Sequence, residues 1–367
     1  MFEFSHECPL TTKRILSESF GLLASSLECA VTVAMIAVRL FTLVCMLLFY
    51  SHFFLSLFIG ALRAAHVGIA LSEAEASVVS PFTSRSKSPQ SVVDLLKEGR
   101  ASLATSFANY KFLIMYGLLF SVVKLVSFWY GVIMSAMSYY CIDGIAITTL
   151  CYTMTLSHPV ESLKRIRPTS SLLGPIALAS SLGVFAISFF CLLTCLLIMA
   201  NHKDYVQWPA EFAEPADWWT LSDNWEATVL YSVMFMFLIG AAGIYSFGYE
   251  FRVALHENTH LSVNMFILFF ITSLIILMDP NKFTDLWHMA SYQFNEKNSV
   301  SPVWSAYQAD GNDTSPAMSS DFRILMYFLI CFFIAMAAAW QAVVVEGFVG
   351  DHIRQKYPSV KRPPYRY

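Results

Sequence analysis

Residues 112–134 form an apolar run long enough to cross a bilayer: Phe-Leu-Ile-Met-Tyr-Gly-Leu-Leu-Phe-Ser-Val-Val-Lys-Leu-Val-Ser-Phe-Trp-Tyr-Gly-Val-Ile-Met. Lys124 is the single charged side chain in it. A helix needs about 20 mostly apolar residues to cross the hydrocarbon core, because each residue advances the helix by about 1.5 Å. Apolar and polar residues do not alternate here, which argues against a barrel strand. The run therefore predicts a membrane-spanning helix over Phe112–Met134.

Five further segments share this character, so the sequence predicts an all-α multi-pass membrane protein with a six-helix bundle. Hydrophobic residues make up 56% of the chain and charged residues 13%, whereas about 25% of residues are charged in soluble domains. The net charge of -3 offers no basic surface, so we expect the lipid bilayer as a partner and no nucleic acid. The further predicted spans are Tyr139–Leu156, Ile176–Ala200, Ala227–Phe247, Leu261–Met278 and Ile324–Val345.

The distribution of Lys and Arg predicts the orientation of the bundle. The link Glu161–Pro175 and the tail 349–367 are rich in basic residues, whereas the loop Asn201–Glu226 contains only Lys203. Basic loops remain in the cytosol. The opposite, lumenal side then holds the sequon Asn312-Asp313-Thr314, and Asn312 is a predicted glycosylation site.

The part before the first span divides into two predicted regions. Residues 60–110 end in an amphipathic helix over Ser91–Tyr110, which runs into the membrane at Phe112 and begins with a capping box at Ser91. Residues 1–59 form a hydrophobic segment of uncertain origin, in which Leu40–Ile59 is apolar enough for one span. The membrane domain is then 111–348, followed by a basic cytosolic tail at 349–367.

Asp143 stands out because ionisable residues are costly inside membrane helices and mark ion or substrate paths. It lies near the lumenal start of the second span, where it is either an interfacial carboxylate in contact with water or a ligand for a cation. The chain has no phosphate-binding loop, zinc motif or paired Cys spacing, so we predict no catalytic residue and no metal site.

Lys124 and Tyr130 are the two other candidate residues. Lys124 lies in the middle of the first span, where its ammonium either pairs with a carboxylate or extends toward the membrane surface. Tyr130 lies near the lumenal end of that span, where it belongs either to the aromatic belt of the interface or to a cation–π wall for an ammonium ligand. We therefore consider Asp143, Tyr130 and Lys124 as candidate substrate-binding residues.

Several blocks of sequence resemble the C-terminal part of type-V P-type ATPases of subgroup B, a group that includes lysosomal polyamine exporters. The runs Gly60–Ile69, Leu71–Ser77 and Ser80–Ser84 resemble the end of that family's phosphorylation domain. The resemblance extends over about residues 60–367. Other similar positions, in its stalk and membrane helices, are Glu98–Leu103, Thr105–Phe107, Lys111, Ile142-Asp143, Ile147–Thr149, Arg167–Pro175, Asn224, Glu226, Thr228 and Val229.

The resemblance implies the last six membrane helices of an ATP-driven pump, with Asp143 at a carboxylate of the transport path and Tyr130 at an aromatic residue there. A second carboxylate is expected near Ser138 and is missing. ATP and magnesium are the cofactors implied for an intact member, and none is expected for this chain, because its sequence contains no Asp-Lys-Thr-Gly-Thr motif. The implied location is the late endosomal or lysosomal membrane, with the stalk and the C-terminus in the cytosol.

We therefore predict the membrane part of an ATP-driven cation transporter, with a polyamine as the implied cargo. We expect it to be truncated, as a shortened gene or splice product with foreign sequence before Gly60, and unable to hydrolyse ATP alone. The alternative is a non-catalytic membrane partner or decoy of an intact pump. Subgroup A of the same family is a further alternative, which the Ser-Glu-Ala-Glu-Ala-Ser run at 72–77 disfavours. A secondary transporter is disfavoured because no duplication relates the two three-helix halves.

Overall fold

The fold is known from a computed structural model. The predicted sequon at Asn312, the segment 1–59 and the basic residues of the link Glu161–Pro175 lie outside the residues that it describes, so glycosylation and orientation stay predictions. The same holds for most of the tail 349–367. The described residues are 67–70, 82–86, 88–163, 168, 171–212, 221–248, 250–279, 281–289, 318–350 and 352.

The chain divides into two compact units. One comprises Met1–Ser106, Ser157–Leu172 and Tyr249–Val253, and the other comprises Phe107–Leu156, Leu173–Gly248 and Ala254–Tyr367.

The described part of the first unit contains a small strand pair and two adjoining loop segments. Strands β1 (Ile69–Ala70) and β2 (Phe82–Thr83) pair in parallel. The loop segments are joined where the backbone N–H of Val253 donates to the carbonyl of His158 at 2.9 Å. Hydrogen bonds of this kind satisfy backbone groups that irregular segments would otherwise leave unpaired.

Helix α1 (Gln90–Tyr130) is continuous over 41 residues, which confirms that the predicted amphipathic helix runs into the first span. The cap differs from the prediction, because the hydroxyl of Ser88, not Ser91, accepts a bond from the N–H of Gln90 at 3.2 Å. The helix stops before the predicted end at Met134. Gly131 adopts a positive φ of 66°, and Val132 N–H bonds the carbonyl of Ser127 at 2.9 Å, which is the Schellman termination that glycine favours.

The second predicted span is divided, and the predicted count of six spanning helices is not confirmed. In place of one regular helix, the structure has helix α2 (Ala136–Tyr139), a first π-helix (Tyr140–Ile147) and helix α3 (Thr148–Thr155), joined without a gap. Five helical segments among the described residues are long and apolar enough to cross a membrane. The divided segment 136–155 is not among them, whereas Ser320–Val349, which also continues into a π-helix, is.

The second unit is built around helix α5 (Trp225–Ile244), whose residues are buried on every side except at Gly240. A helix that is apolar all round is stable only when other helices or lipid surround it. The other helices leave large apolar side chains such as Phe128, Phe266 and Phe328 exposed, which suits a lipid solvent. These remaining helices are α4 (Pro175–Ala200), α6 (Thr259–Leu277), α7 (Lys282–Asp285) and α8 (Ser320–Ala339), which continues into a second π-helix (Trp340–Val349).

Small residues allow close approach between the packed helices. A Cβ at Gly240 of α5 would lie 2.8 Å from a methyl carbon of Ile334 in α8, and one at Gly243 would lie 2.6 Å from the terminal methyl of Met265 in α6. Membrane helices associate through such small-residue contacts, because lipid leaves no hydrophobic driving force between helices. The two glycines are three residues apart and bring α6 and α8 onto α5.

Substituting Gly183 with alanine should destabilise the bundle. The Trp340 indole N–H donates to the carbonyl of Ala179 at 3.1 Å, and a Cβ at Gly183 would lie 2.0 Å from that nitrogen. The indole has to move, which should lower the free energy of unfolding by about 1–3 kcal/mol. Unfolding by SDS in mixed micelles, followed by far-UV circular dichroism, measures the change.

Gly117→Ala is the matched control. No side chain or other backbone lies within 4 Å of a Cβ at Gly117, so this variant should be neutral or stabilised by about 0.5–1 kcal/mol, the usual gain of alanine over glycine in a helix. Equal effects of the two variants would contradict the packing assigned to Trp340.

Candidate cation site

One face of α1 lies against the divided segment and carries Tyr116, Phe120 and Lys124. These residues are four apart and therefore lie one above the other along the helix. The facing residues Tyr139 and Asp143 are also four apart. The two helical segments thus meet through a ladder of side chains, which consists of three aromatic rings, one carboxylate and one ammonium.

Asp143 lies within the first π-helix, and Tyr116 is its partner. The Tyr116 hydroxyl donates to Oδ1 of Asp143 at 2.6 Å. Within the described part of the chain, Oδ2 of Asp143 accepts no hydrogen bond, and the residue is exposed. A π-helix inserts an extra residue into the turn and is frequent at functional sites. A carboxylate oxygen is therefore available to a ligand beside a tyrosine hydroxyl.

The threonines that follow Asp143 direct their hydroxyl hydrogens to the backbone of the preceding turn. Thr148 donates to the backbone carbonyl of Asp143 at 3.4 Å, and Thr149 donates to that of Ala146 at 3.4 Å. Thr153 donates to the carbonyl of Thr149 at 2.8 Å. Such bonds to the preceding turn are the usual behaviour of threonine in membrane helices.

Lys124 does not pair with Asp143, and no carboxylate among the described residues lies within ion-pair distance of it. Its ammonium donates to the hydroxyl of Tyr139. The nitrogen also lies 4.3 Å from the ring centroid of Tyr139 and 5.3 Å from that of Phe120. Both distances are within the range of a cation–π interaction. Lys124 is therefore held by aromatic groups and not by a counter-charge.

The aromatic residues of this site do not stand out in the sequence. The rings of Tyr116 and Phe120 are stacked with centroids 5.5 Å apart, and Phe120 meets Tyr139 edge-on at 6.3 Å. Aromatic residues in an apolar run are usually read as lipid-facing or core residues. The signal that could have identified them is their four-residue spacing from Lys124, and from Asp143 on the facing segment.

Tyr130 is separate from the site. Among the described residues it makes no hydrogen bond or ring contact with Asp143 or Lys124. It packs against the core, and its electrostatic neighbour is the carboxylate of Glu226. Of the three predicted residues, the structure thus places Asp143 and Lys124 on the same ladder and Tyr130 elsewhere.

Glu226 is a buried carboxylate in the first turn of α5, with 1% of its surface exposed. It accepts the hydroxyl of Tyr205 at 2.7 Å and the backbone N–H of Trp208 at 2.9 Å. Burial, and then the charge of Glu226, raise the pKa of Tyr205 above its ordinary value. Asn224 caps the same helix by accepting from the N–H of Ala227 at 2.8 Å. These bonds attach the segment 205–208 to the start of α5.

Within the described ranges, no three or more His, Cys, Asp or Glu side chains are grouped so that they could hold a metal ion. The described site is therefore one of carboxylate and aromatic groups, which suits an organic cation better than a metal.

The comparisons with known proteins identify the relatives of the chain. The human probable cation-transporting ATPase 13A5 is 32% identical over 245 residues, with 57% of this chain and 20% of that protein covered. The mouse polyamine-transporting ATPase 13A2 is 35% identical over 210 residues, which cover 57% and 18%. A vacuolar cation-transporting ATPase of Saccharomyces cerevisiae is 30% identical over 225 residues, which cover 61% and 15%.

The chain thus spans about a fifth of the length of these relatives, or less. No protein-family profile matches it. Its homologues are P-type ATPases of the 13A family, consistent with a C-terminal segment of a type-V P-type ATPase. The resemblance predicted from the sequence is confirmed, as is a mostly helical membrane architecture.

Replacing Glu226 with methionine should destabilise the second unit. The Tyr205 hydroxyl and the Trp208 N–H would lose their acceptor inside the protein, and leaving buried donors unpaired costs about 1–3 kcal/mol. The free energy of unfolding in mixed micelles measures this loss. Glu211→Met, at an exposed position of the same loop region, is the control and should unfold as the wild type does. An unchanged stability of Glu226→Met would show that these hydrogen bonds do not hold the segment.

Proposed function

We propose that this chain is the membrane part of a cation transporter and that Asp143 with Tyr116 forms its cation-binding site. The observation that carries the proposal is the hydrogen bond of 2.6 Å between them, made within a π-helix of a membrane segment. The names of the homologous cation-transporting ATPases support it.

An ammonium group fits the chemistry of this pair. Its N–H groups can donate to Oδ2 of Asp143 and to the lone pairs of the Tyr116 oxygen, whose own hydrogen is directed at Oδ1. The stacked rings of Tyr116 and Phe120 offer π-faces to the methylene carbons and the charge of an organic cation. A carboxylate in a membrane segment is costly when it stands alone, so a bound cation stabilises the charged form of Asp143.

The proposed ligand class is an organic ammonium, the class to which polyamines belong. Two of the relatives are named polyamine-transporting ATPases, which supports this choice. In the intact transporter, the cation would move from the lumen of a late endosome or lysosome to the cytosol. The stalk and the C-terminus would both lie on the cytosolic side.

Asp143→Asn should weaken cation binding. The variant keeps the size of the side chain and removes its charge, so the dissociation constant for butylammonium should rise by about tenfold or more, the range expected for a lost charged hydrogen bond. Tyr116→Phe should weaken binding by a few fold, because one neutral hydrogen bond is worth about 1 kcal/mol. Calorimetric titration of the purified full chain in lipid nanodiscs measures both.

Asp321→Asn, an exposed carboxylate in the first turn of α8, is the control and should bind as the wild type does. Equal affinity of wild type and Asp143→Asn would refute the site. Binding that appears only when a longer homologue is present in the same nanodisc would instead support the alternative function, a non-catalytic partner of an intact pump.

We further propose that this chain does not hydrolyse ATP by itself, whereas ATP and magnesium act in the intact transporter. Phosphoryl transfer on an enzyme aspartate requires the nucleophile and a metal clamp, and the sequence contains no Asp-Lys-Thr-Gly-Thr motif. Purified chain should release no phosphate from magnesium-ATP above the background of an empty nanodisc. Vanadate-sensitive hydrolysis that copurifies with the chain would contradict this expectation.

A further inference from the structure

The candidate cation site already contains one ammonium group, which belongs to the protein. The nitrogen of Lys124 lies 5.3 Å from the ring centroid of Phe120 and 4.3 Å from that of Tyr139, and it donates to the Tyr139 hydroxyl. A primary ammonium on a chain of four methylene carbons is chemically the end of an alkylamine. The two rings and the hydroxyl therefore form a cage for an ammonium, and Lys124 fills it.

This aromatic cage (Phe120 and Tyr139) lies next to the proposed ligand site. In a helix the side chains lean toward the N-terminus, which carries the ammonium of Lys124 back to the level of Phe120. Phe120 is four residues from Tyr116, a separation of about 6 Å along the axis. Phe120 is also in contact with both neighbours, stacked on Tyr116 and edge-on to Tyr139. Phe120 thus connects the cage to Tyr116, the hydrogen-bond partner of Asp143.

The two charged side chains of the site neutralise each other before any ligand binds. Along the facing stretches 112–130 and 136–155, the charged side chains are Lys124 and Asp143, so their formal charges cancel. Ser138, near which a second carboxylate was expected, is uncharged. Its hydroxyl is hydrogen-bonded to that of Ser135 at 2.8 Å. One ammonium at Asp143 is compensated by that carboxylate. A second ammonium nearby would meet the like charge of Lys124, and like charges at such distances repel strongly where the dielectric constant is low.

We infer that Lys124 is a specificity-determining residue, a tethered ammonium that occupies the second cation subsite and limits the site to one ligand ammonium. The inference rests on the proposed function, because it concerns the ligand of the Asp143 site. A monoamine then binds as well as a diamine of the same length. A polyamine is held by one terminal ammonium and gains little from its further charges.

The matched ligands butylammonium and 1,4-diaminobutane test this inference, because they share a four-carbon chain and differ by one ammonium. Both are titrated into the full chain in nanodiscs, and the ratio of their dissociation constants is the readout. In the wild type the monoamine should bind at least as tightly as the diamine. In Lys124→Met the cage is empty and uncharged, so the ratio should shift about tenfold in favour of the diamine, the range of a desolvated cation–π contact.

Lys124→Arg is the control, since it keeps a cation against the rings and should retain the ratio of the wild type. Lys124→Leu repeats the test with a different apolar side chain. Because both ligands are measured on the same sample, a variant that is partly unfolded loses both signals in proportion and leaves the ratio intact. A purely structural role of Lys124 predicts a change in stability with no change in this ratio.

The outcomes separate the inference from the function on which it rests. An unchanged ratio in Lys124→Met and Lys124→Leu, with butylammonium binding still weakened in Asp143→Asn, would overturn the role of Lys124 and leave the cation site standing. Absence of binding of either amine to the wild type and to Lys124→Met would overturn both. Binding of the diamine to Lys124→Met alone, with neither amine bound by the wild type, would contradict the inference, because the site of the wild type would then accept no ligand ammonium.

Discussion

The hydrogen bond from Tyr116 to Asp143 joins α1 to the divided segment, and the arrangement of the site depends on it. A carboxylate in a membrane segment is stabilised by a hydrogen-bond donor, because an uncompensated charge is costly there. Tyr116 supplies that donor from the neighbouring helix at 2.6 Å. Once this contact is fixed, the four-residue spacing on each segment brings Phe120 against Tyr139, and Tyr139 into reach of Lys124.

The first π-helix explains why the sequence could predict the membrane segment but not its form. Hydropathy reports how many apolar residues follow one another, and Tyr139–Leu156 has enough of them for a span. It does not report how the backbone bonds, and residues 140–147 adopt π-helical turns. Gly144 follows Asp143 at the centre of that stretch, and a Cβ there would meet nothing within 4 Å. The local widening of the helix is thus a backbone property that composition does not encode.

The side chains of the site, like the backbone of the divided segment, were only partly predictable from the sequence. Asp143 and Lys124 were identifiable because charge is rare in apolar runs. Tyr116 and Tyr139 were not, because an aromatic ring is compatible with lipid, with a packed core and with a cation. Tyr130 stays a prediction, because the described residues show no hydrogen bond or ring contact between it and Asp143. The left-handed Gly131 ends α1 at Tyr130.

A second set of contacts, a chain of hydrogen bonds, also fixes the axial position of α1. Lys111 donates to the hydroxyl of Ser180 at 3.2 Å, and that hydroxyl donates to the side-chain carbonyl of Gln341 at 2.7 Å. Both acceptors are buried, so these bonds have no competing water and hold α1, α4 and the second π-helix in one register. Lys111 precedes Tyr116 by five residues on the same rigid helix. An axial shift of α1 by one residue, about 1.5 Å, would therefore break the bond to Ser180 and the bond to Asp143 together. The geometry of the proposed cation site and the packing of the last helix therefore both depend on the axial position of α1.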